Sequence, residues 1–334
     1  MNANAAATPM PGTFTLPGRE EIETAARHLA PLVPPTPQYL WPQVAAAFGT
    51  EVWLKHENHT PIGAFKARSA AMYFRRLMER EPACAGVITA TRGNHGQAVG
   101  LAARSFKLPA TVYVPHGNSI EKNVAMRALG ATLVEHGQDF QEAREEAMRV
   151  AAQRGLHMVP AFHRDIVLGV STYWAELFRA APELDVVYVP IGQGSGICAA
   201  AAARNVYSPG TRLVGVVSAH AACFSRSFAA RRVVEAPVQT LLGDGMACRK
   251  PDEDALAIML ANVSRVLEVT DAELAGAMRA IFSMTHNVAE GAGAAAFAAA
   301  WRERESLAGQ RVGIALTGGN VDSAVFADVL AGKY

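Results

Sequence analysis

The 334-residue sequence predicts an α/β protein built on mostly parallel sheets. Two observations carry this expectation. Short β-branched apolar runs alternate with longer helical patterns along most of the chain. Several of those runs, VVYVPI, RLVGVV and VGIAL, are apolar without alternation, as strands are when helices cover both faces of a sheet. The composition is that of a globular chain with a sizeable core, 50% hydrophobic and 18% charged.

The elements follow in order. The first 18 residues are rich in Ala, Pro, Gly and Thr and have no basic start before an apolar stretch. They are expected to fray and not to act as a secretory signal. Residues 31–42 hold five prolines and read as an extended connector. Strands are expected over 52–55, 86–90, 111–115, 132–135, 186–191, 212–218 and 312–317. Helices are expected over 67–80, 95–106, 119–129, 140–154, 164–180, 196–204, 271–283 and 289–305. The alanine run near 291–300 reads as a close-packing helix face. There is no internal repeat and no clean linker.

Several function classes are disfavoured. A net charge of +1, with no basic stripe interleaved with aromatics, argues against nucleic acid. No apolar run is long enough to span a bilayer, so no membrane role is expected. Cys84, Cys198, Cys223 and Cys248 are scattered without a CxxC pair, which gives neither a disulfide framework nor a zinc site. They read as small buried hydrophobes, and a reducing cytoplasm is the expected location. None of the ten histidines forms an HExxH pair, and no metal site is expected.

Four runs carry chemistry. Lys66, in GAFKARSA, follows a turn-like TPIG and has apolar neighbours. A lysine acts as an imine-forming amine only when desolvation keeps part of it neutral; alone, it is far more readily a solvated charge. TRGNHGQ, from Thr91, follows one strand and precedes a helix. It offers backbone N–H groups, the Thr91 hydroxyl and the Asn94 amide where anions and cofactors bind in parallel sheets. It is equally a helix cap. GQGSG, Gly192 to Gly196, opens a helix after an apolar strand and forms an anion nest. Its spacing matches neither GxGxxG nor the phosphate loop of nucleoside triphosphatases. TGGNVD, from Thr317, repeats the strand–turn–helix plan. An amine, a polar loop and a phosphate cradle together suit pyridoxal phosphate (PLP), which has an aldehyde and a phosphate.

These motifs, in this order, resemble the fold-type II PLP enzymes, in the branch of threonine/serine dehydratases (ammonia-lyases) and serine racemases. The likeness runs from a leading helix near Ile22, through Thr36-Pro37, VWLKHEN, PIGAFKARSA, TRGNHGQA, VYVPHGNSIEKNVAMRALGA, GQGSG, GDGMA and AEGAGAAA, to TGGNVD. The resemblance implies two lobes, each a mostly parallel twisted sheet flanked by helices. Residues 84–162 would form a small inserted domain that carries the substrate loop at its start, and 1–83 with 163–334 the large PLP-binding domain. Lys66 would hold the cofactor as a Schiff base and then serve as the base at the α-carbon. Phe65 would lie against the cofactor, Asn94 would bond its phenolic oxygen, and Thr317 would meet its pyridine nitrogen. Gly192, Gln193, Gly194, Ser195 and Gly196 would cradle the phosphate. Thr91, Arg92, Gly93 and His95 would line the substrate's carboxylate loop. The implied reaction is α,β-elimination from a threonine- or serine-like β-hydroxy-α-amino acid, yielding a 2-keto acid and ammonia. Dehydration of 3-hydroxyaspartate or phenylserine, β-replacement and racemisation are the alternatives within the fold, and a non-catalytic PLP-binding protein is the alternative outside enzymes. A homodimer is implied by analogy.

The chain departs from the family at several points. Arg92 stands where racemases carry a serine that acts as the opposite-face acid, which counts against racemisation. A permanently charged guanidinium there could grip a second substrate carboxylate or pair with a protein acid. Val217, and Cys223 or a neighbour, stand where the family's divalent-cation ligands are expected, and neither suits a hard cation. Ala64 replaces a common Ser and Ser69 a common Gly. The sequence runs only a short way past TGGNVD, so no regulatory C-terminal domain and no feedback inhibition by isoleucine is expected.

Overall fold

The computed structural model describes residues 14–181 and 183–334. Most of the stretch expected to fray, residues 1–13, lies outside the described residues. The strands are β1 (Gln38–Leu40), β2 (Val52–His56), β3 (Val87–Ala90), β4 (Ala110–Val114), β5 (Thr132–Glu135), β6 (His157–Met158), β7 (Val186–Pro190), β8 (Arg212–Ser218), β9 (Arg265–Val269) and β10 (Val312–Leu316). The helices are α1 (Arg19–Leu29), α2 (Pro42–Phe48), α3 (Lys66–Arg80), α4 (Asn94–Ser105), α5 (Ile120–Ala128), α6 (Phe140–Arg154), α7 (Arg164–Ala180), α8 (Ser195–Tyr207), α9 (Cys223–Ala230), α10 (Glu253–Asn262), α11 (Asp271–Thr285), α12 (Gly291–Arg302) and α13 (Ser323–Leu330).

Two sheets form. The larger has the order β1-β2-β10-β7-β8-β9, and the smaller the order β5-β4-β3-β6. Every pairing is parallel except β1 with β2. Strands β7 and β10 are almost wholly buried, which explains their continuous apolar sequences. Two cores cover the large sheet. One sets α12 and α11 against Tyr188, Val214 and Ile314; the other sets α7 and α8 against Val187, Val189 and Leu213.

Helix α12 is buried along its first ten residues, Gly291 to Ala300. Small side chains let it approach closely, and a Cβ added at Gly293 would collide with the Gly318 carbonyl. Thus the alanine run does make a packing face, and it presses the helix start against the turn after β10.

All seven expected strands and eight expected helices are present; β5, β8, α6 and α7 have the expected bounds and the others have shifted ends. The proline-rich connector is corrected in part: β1 forms within it, as a three-residue antiparallel edge, and α2 starts at Pro42. Proline fits the first turn of a helix, where its missing N–H costs nothing. Strands β6 and β9 and helices α2, α9, α10 and α13 lie outside the expected ranges. β9 is a half-buried edge with an arginine and a glutamate, so it lacks the apolar run that marks its neighbours.

Candidate active site

Three of the four motif runs leave the C-terminal ends of parallel strands. TRGN follows β3, GQGSG follows β7, and TGGN follows β10. Lys66 is brought to the same place by the turn after β2, whose end lies beside β10.

That turn is held from several sides. The Thr60 hydroxyl accepts from the Ala64 N–H at 3.0 Å and donates to the Ala64 carbonyl at 2.7 Å. Phe65 N–H donates to the Thr317 carbonyl at 3.0 Å, and Ala64 bridges Gly318. Lys66 therefore starts α3 locked to the end of β10. Its Nζ lies 4.8 Å from the Phe65 ring centroid. Burial brings the amine's pKa down to about 8, against the opposing pull of Glu290. An amine so placed keeps a useful neutral fraction near physiological pH, as imine formation needs.

The expected phosphate cradle is built as a nest. Gly194 adopts φ +99°, where a side chain is strained, and an added Cβ would lie 2.6 Å from the Ala255 Cβ. A Cβ on Gly192 would collide with the Gly245 carbonyl. Ser195 begins α8 and is buried, so the first N–H groups of that helix face the loop without helical partners. Gly245 itself packs on Ala292, and the Thr317 hydroxyl donates to the Ala292 carbonyl at a long 3.5 Å. Thr317 is 7% exposed.

In the TRGN loop, Thr91 is buried and its hydroxyl accepts from Gly93 N–H at 3.0 Å. A Cβ on Gly93 would press into the Lys122 side chain, so the glycine lets that lysine pass beneath the loop. His95 contacts the Thr89 hydroxyl at 3.1 Å, and burial pushes its pKa down to about 3. The ring is neutral. Arg92 is 45% exposed, and its Nη1 lies 3.9 Å from Asp244 Oδ1, a loose ion pair. Asn94 donates to Glu290 Oε1 at 2.5 Å and accepts from Asn320 at 2.8 Å.

The structure thus gathers Phe65, Lys66, Asn94, the Gly192–Gly196 loop and Thr317 around one centre. Thr91, Gly93 and His95 lie in the wall beside it, and Arg92 stands further out. Sequence reasoning gave no role to Glu290, Lys122, Asn320 or Asp244. The signal for Glu290 was a carboxylate standing directly before a helix that opens on six small residues. Among the described residues, no group of three or more His, Cys, Asp or Glu is placed to hold a metal. Val217 and Cys223 are fully enclosed.

A family profile described as "Pyridoxal-phosphate dependent enzyme" matches residues 29–318. The chain belongs to this family. Among relatives of this PLP enzyme is the L-threo-3-hydroxyaspartate ammonia-lyase of Saccharomyces cerevisiae, 30% identical over 319 residues, covering 95% of this chain and 98% of that one. The L-threonine ammonia-lyase of Thermotoga maritima is 32% identical over 304 residues, covering 91% of this chain and 75% of that one. Maize serine racemase superposes with a TM-score of 0.84 at 25% identity, covering 96% and 98%.

The residues present fit the cofactor. An aldehyde needs a desolvated amine, which Lys66 supplies. A phosphate needs N–H groups in a close backbone cradle, and the Gly192–Gly196 loop has that form, with no room for a Cβ at Gly192 or Gly194. A ring nitrogen needs a polar group with hydrogen-bonding capacity to spare, and the Thr317 hydroxyl makes only one long bond.

Proposed function

We propose that this PLP enzyme is an ammonia-lyase that removes water from a threonine- or serine-like β-hydroxy-α-amino acid, releasing a 2-keto acid and ammonia. The observation that carries the reading is Lys66, a desolvated amine with a pKa near 8 locked between Phe65 and the turn after β10. Bound there, the cofactor supplies the electron sink that acidifies the substrate's α C–H bond. Lys66, once free, takes the α-proton; its lowered pKa lets it do so near neutral pH. The N–H groups of Gly192 to Gly196 hold the phosphate and anchor the site. Asn94 orients the ring's oxygen side, Phe65 supports its face, and Thr91, Gly93 and His95 line the space for the substrate carboxylate. Thr317 is a neutral partner for the ring nitrogen. A hydroxyl there would not stabilise a protonated ring as a carboxylate would, which would favour prompt loss of the β-hydroxyl.

A second reading concerns the substrate side chain. Arg92 is half-exposed and only loosely paired with Asp244. An exposed guanidinium held only by that one loose pair can turn to a substrate's second carboxylate in bidentate fashion, which favours 3-hydroxyaspartate. The same residue cannot serve as an opposite-face proton donor, which disfavours racemisation.

Residues 84–162 form, in this proposal, a lobe that closes over the site and excludes water. Four free thiols suit a reducing cytoplasm, and a two-fold dimer is the expected assembly.

The test is keto-acid release by PLP-loaded protein from threonine, serine, both 3-hydroxyaspartate diastereomers and phenylserine. Release from threonine or serine supports the plain dehydratase. Release confined to hydroxyaspartate supports the Arg92 clamp. No release from any of them, with cofactor bound, rejects the lyase. Lys66→Ala should lower turnover by about 10³-fold or more with the fold retained.

A further inference from the structure

The roles above leave one buried carboxylate at the centre of the site without a task. Glu290 caps α12, is 6% exposed, and donates its N–H to the Gly318 carbonyl at 3.0 Å. Its Oε1 accepts from Asn94, and its Oε2 lies 3.5 Å from Lys122 Nζ, itself nearly buried. Four groups from four elements face it: Lys66 at the start of α3, Asn94 on α4, Lys122 on α5 and Asp244 in the Asp244–Met246 turn. Lys66 in turn faces Glu290 and the neutral His95. Burial raises this carboxyl's pKa, and Lys122 and the Asn94 hydrogen bond oppose that rise and favour the charged form. Lys122, threading under Gly93, supplies the pairing from the side of the smaller sheet.

We propose that Glu290, anchored on Lys122, is a positioning residue for cofactor capture: it sets the direction in which Asn94 presents its free N–H, and it restrains Lys66 as an ammonium until an aldehyde arrives. Asn94 is fixed at both ends, its oxygen by Asn320 at 2.8 Å and one amide hydrogen by Glu290 at 2.5 Å. An amide nitrogen carries two hydrogens, so the direction of the second follows from the first. The Cβ position that Gly318 lacks lies 2.6 Å from Glu290 Oε1 and 3.3 Å from both Ala64 Cβ and Asn94 Nδ2, so the carboxylate stands beside the turn that starts the Lys66 helix; there it favours the ammonium, against the burial that favours the neutral amine. Capture needs the neutral form. Nζ adds to the aldehyde carbon, a C=N bond forms, and the aldehyde oxygen leaves as water with both amine hydrogens.

The experiment uses wild-type, Glu290→Gln and Glu290→Asp protein freed of PLP. The rate of PLP uptake is followed against pH by borohydride trapping on Lys66 and mass spectrometry, and equilibrium affinity by fluorescence. Wild-type uptake should rise with pH through about 8. Glu290→Gln should move that rise to lower pH, speeding uptake at pH 7 by roughly three- to tenfold, since one pKa unit is tenfold in neutral amine. Its equilibrium affinity should fall. Glu290→Asp keeps the charge but loses the reach to Asn94, so it should keep the wild-type pH profile with weakened affinity. An unshifted profile in Glu290→Gln overturns the proposal, even if its melting temperature drops. Should that variant fail to fold, Glu290→Asp decides: weakened affinity at an unshifted profile supports the proposal, and wild-type affinity overturns it. The inference rests on the family's cofactor and not on the lyase reading, so the uptake and keto-acid assays fail independently.

Discussion

His56 ends β2 and shows how one ring ties the site's support to pH. It is fully buried, and its Nε2 accepts from the Trp41 indole N–H at 2.9 Å. Acceptance requires an unprotonated nitrogen. Burial, helped by His59 and Lys55, pushes the ring's pKa down to about 4. The unfolded chain takes up a proton near 6.5 that the native chain refuses. Stability therefore rises with pH between about 4 and 6.5, and is lost as pH falls through that window. The expected loss from this one ring is about 2 kcal/mol between pH 7 and pH 5. Urea titrations at both values should record it, and His56→Gln should remove most of the difference. At this scale the sequence was readable where a residue's role follows from its own turn. Lys66 and the glycine loop announce themselves in that way. Glu290 and Asn94 lie 196 positions apart, and nothing local in AEGAGAAA indicates that the fold will set them 2.5 Å from each other.

Among elements, the turn from β7 into α8 is the least forgiving. Gly194→Ala would place a Cβ 2.6 Å from the Ala255 Cβ, at a φ that L side chains resist. We expect a stability loss of about 1–2 kcal/mol, from thermal melts, and at least a tenfold weaker hold on PLP by equilibrium dialysis. The interior strands were legible because burial on both faces writes itself as an unbroken apolar run. The edges were not. β1 has three residues beside a proline and β9 is half-buried and charged, so neither shows a period or a run. Helices α9, α10 and α13 are eight to ten residues long, too short for periodicity to stand out from the surrounding loops.

Across the molecule, a buried charge network braces the helix that carries Lys66. Arg68 bonds both oxygens of Glu57, and it reaches Glu176, which also holds Lys55 at 2.5 Å. The four side chains join β2, the turn after it, α3 and α7. Removing the cation strips buried Glu57 of its ion-pair partner and leaves Glu176 with Lys55 alone, so Arg68→Met should cost about 3–5 kcal/mol in urea unfolding. The strand order of the large sheet carries a different consequence, for synthesis. β10 is central, flanked by β2 and β7, yet it is made after both of them. While the chain grows, that sheet stands open along its middle, with two bare apolar edges waiting for a partner not yet translated. The smaller sheet, drawn from one continuous stretch, can close long before. The half-made enzyme is therefore most exposed to misassembly late in translation, and its need for chaperones should end when the segment from Val312 to Leu316 slots into place.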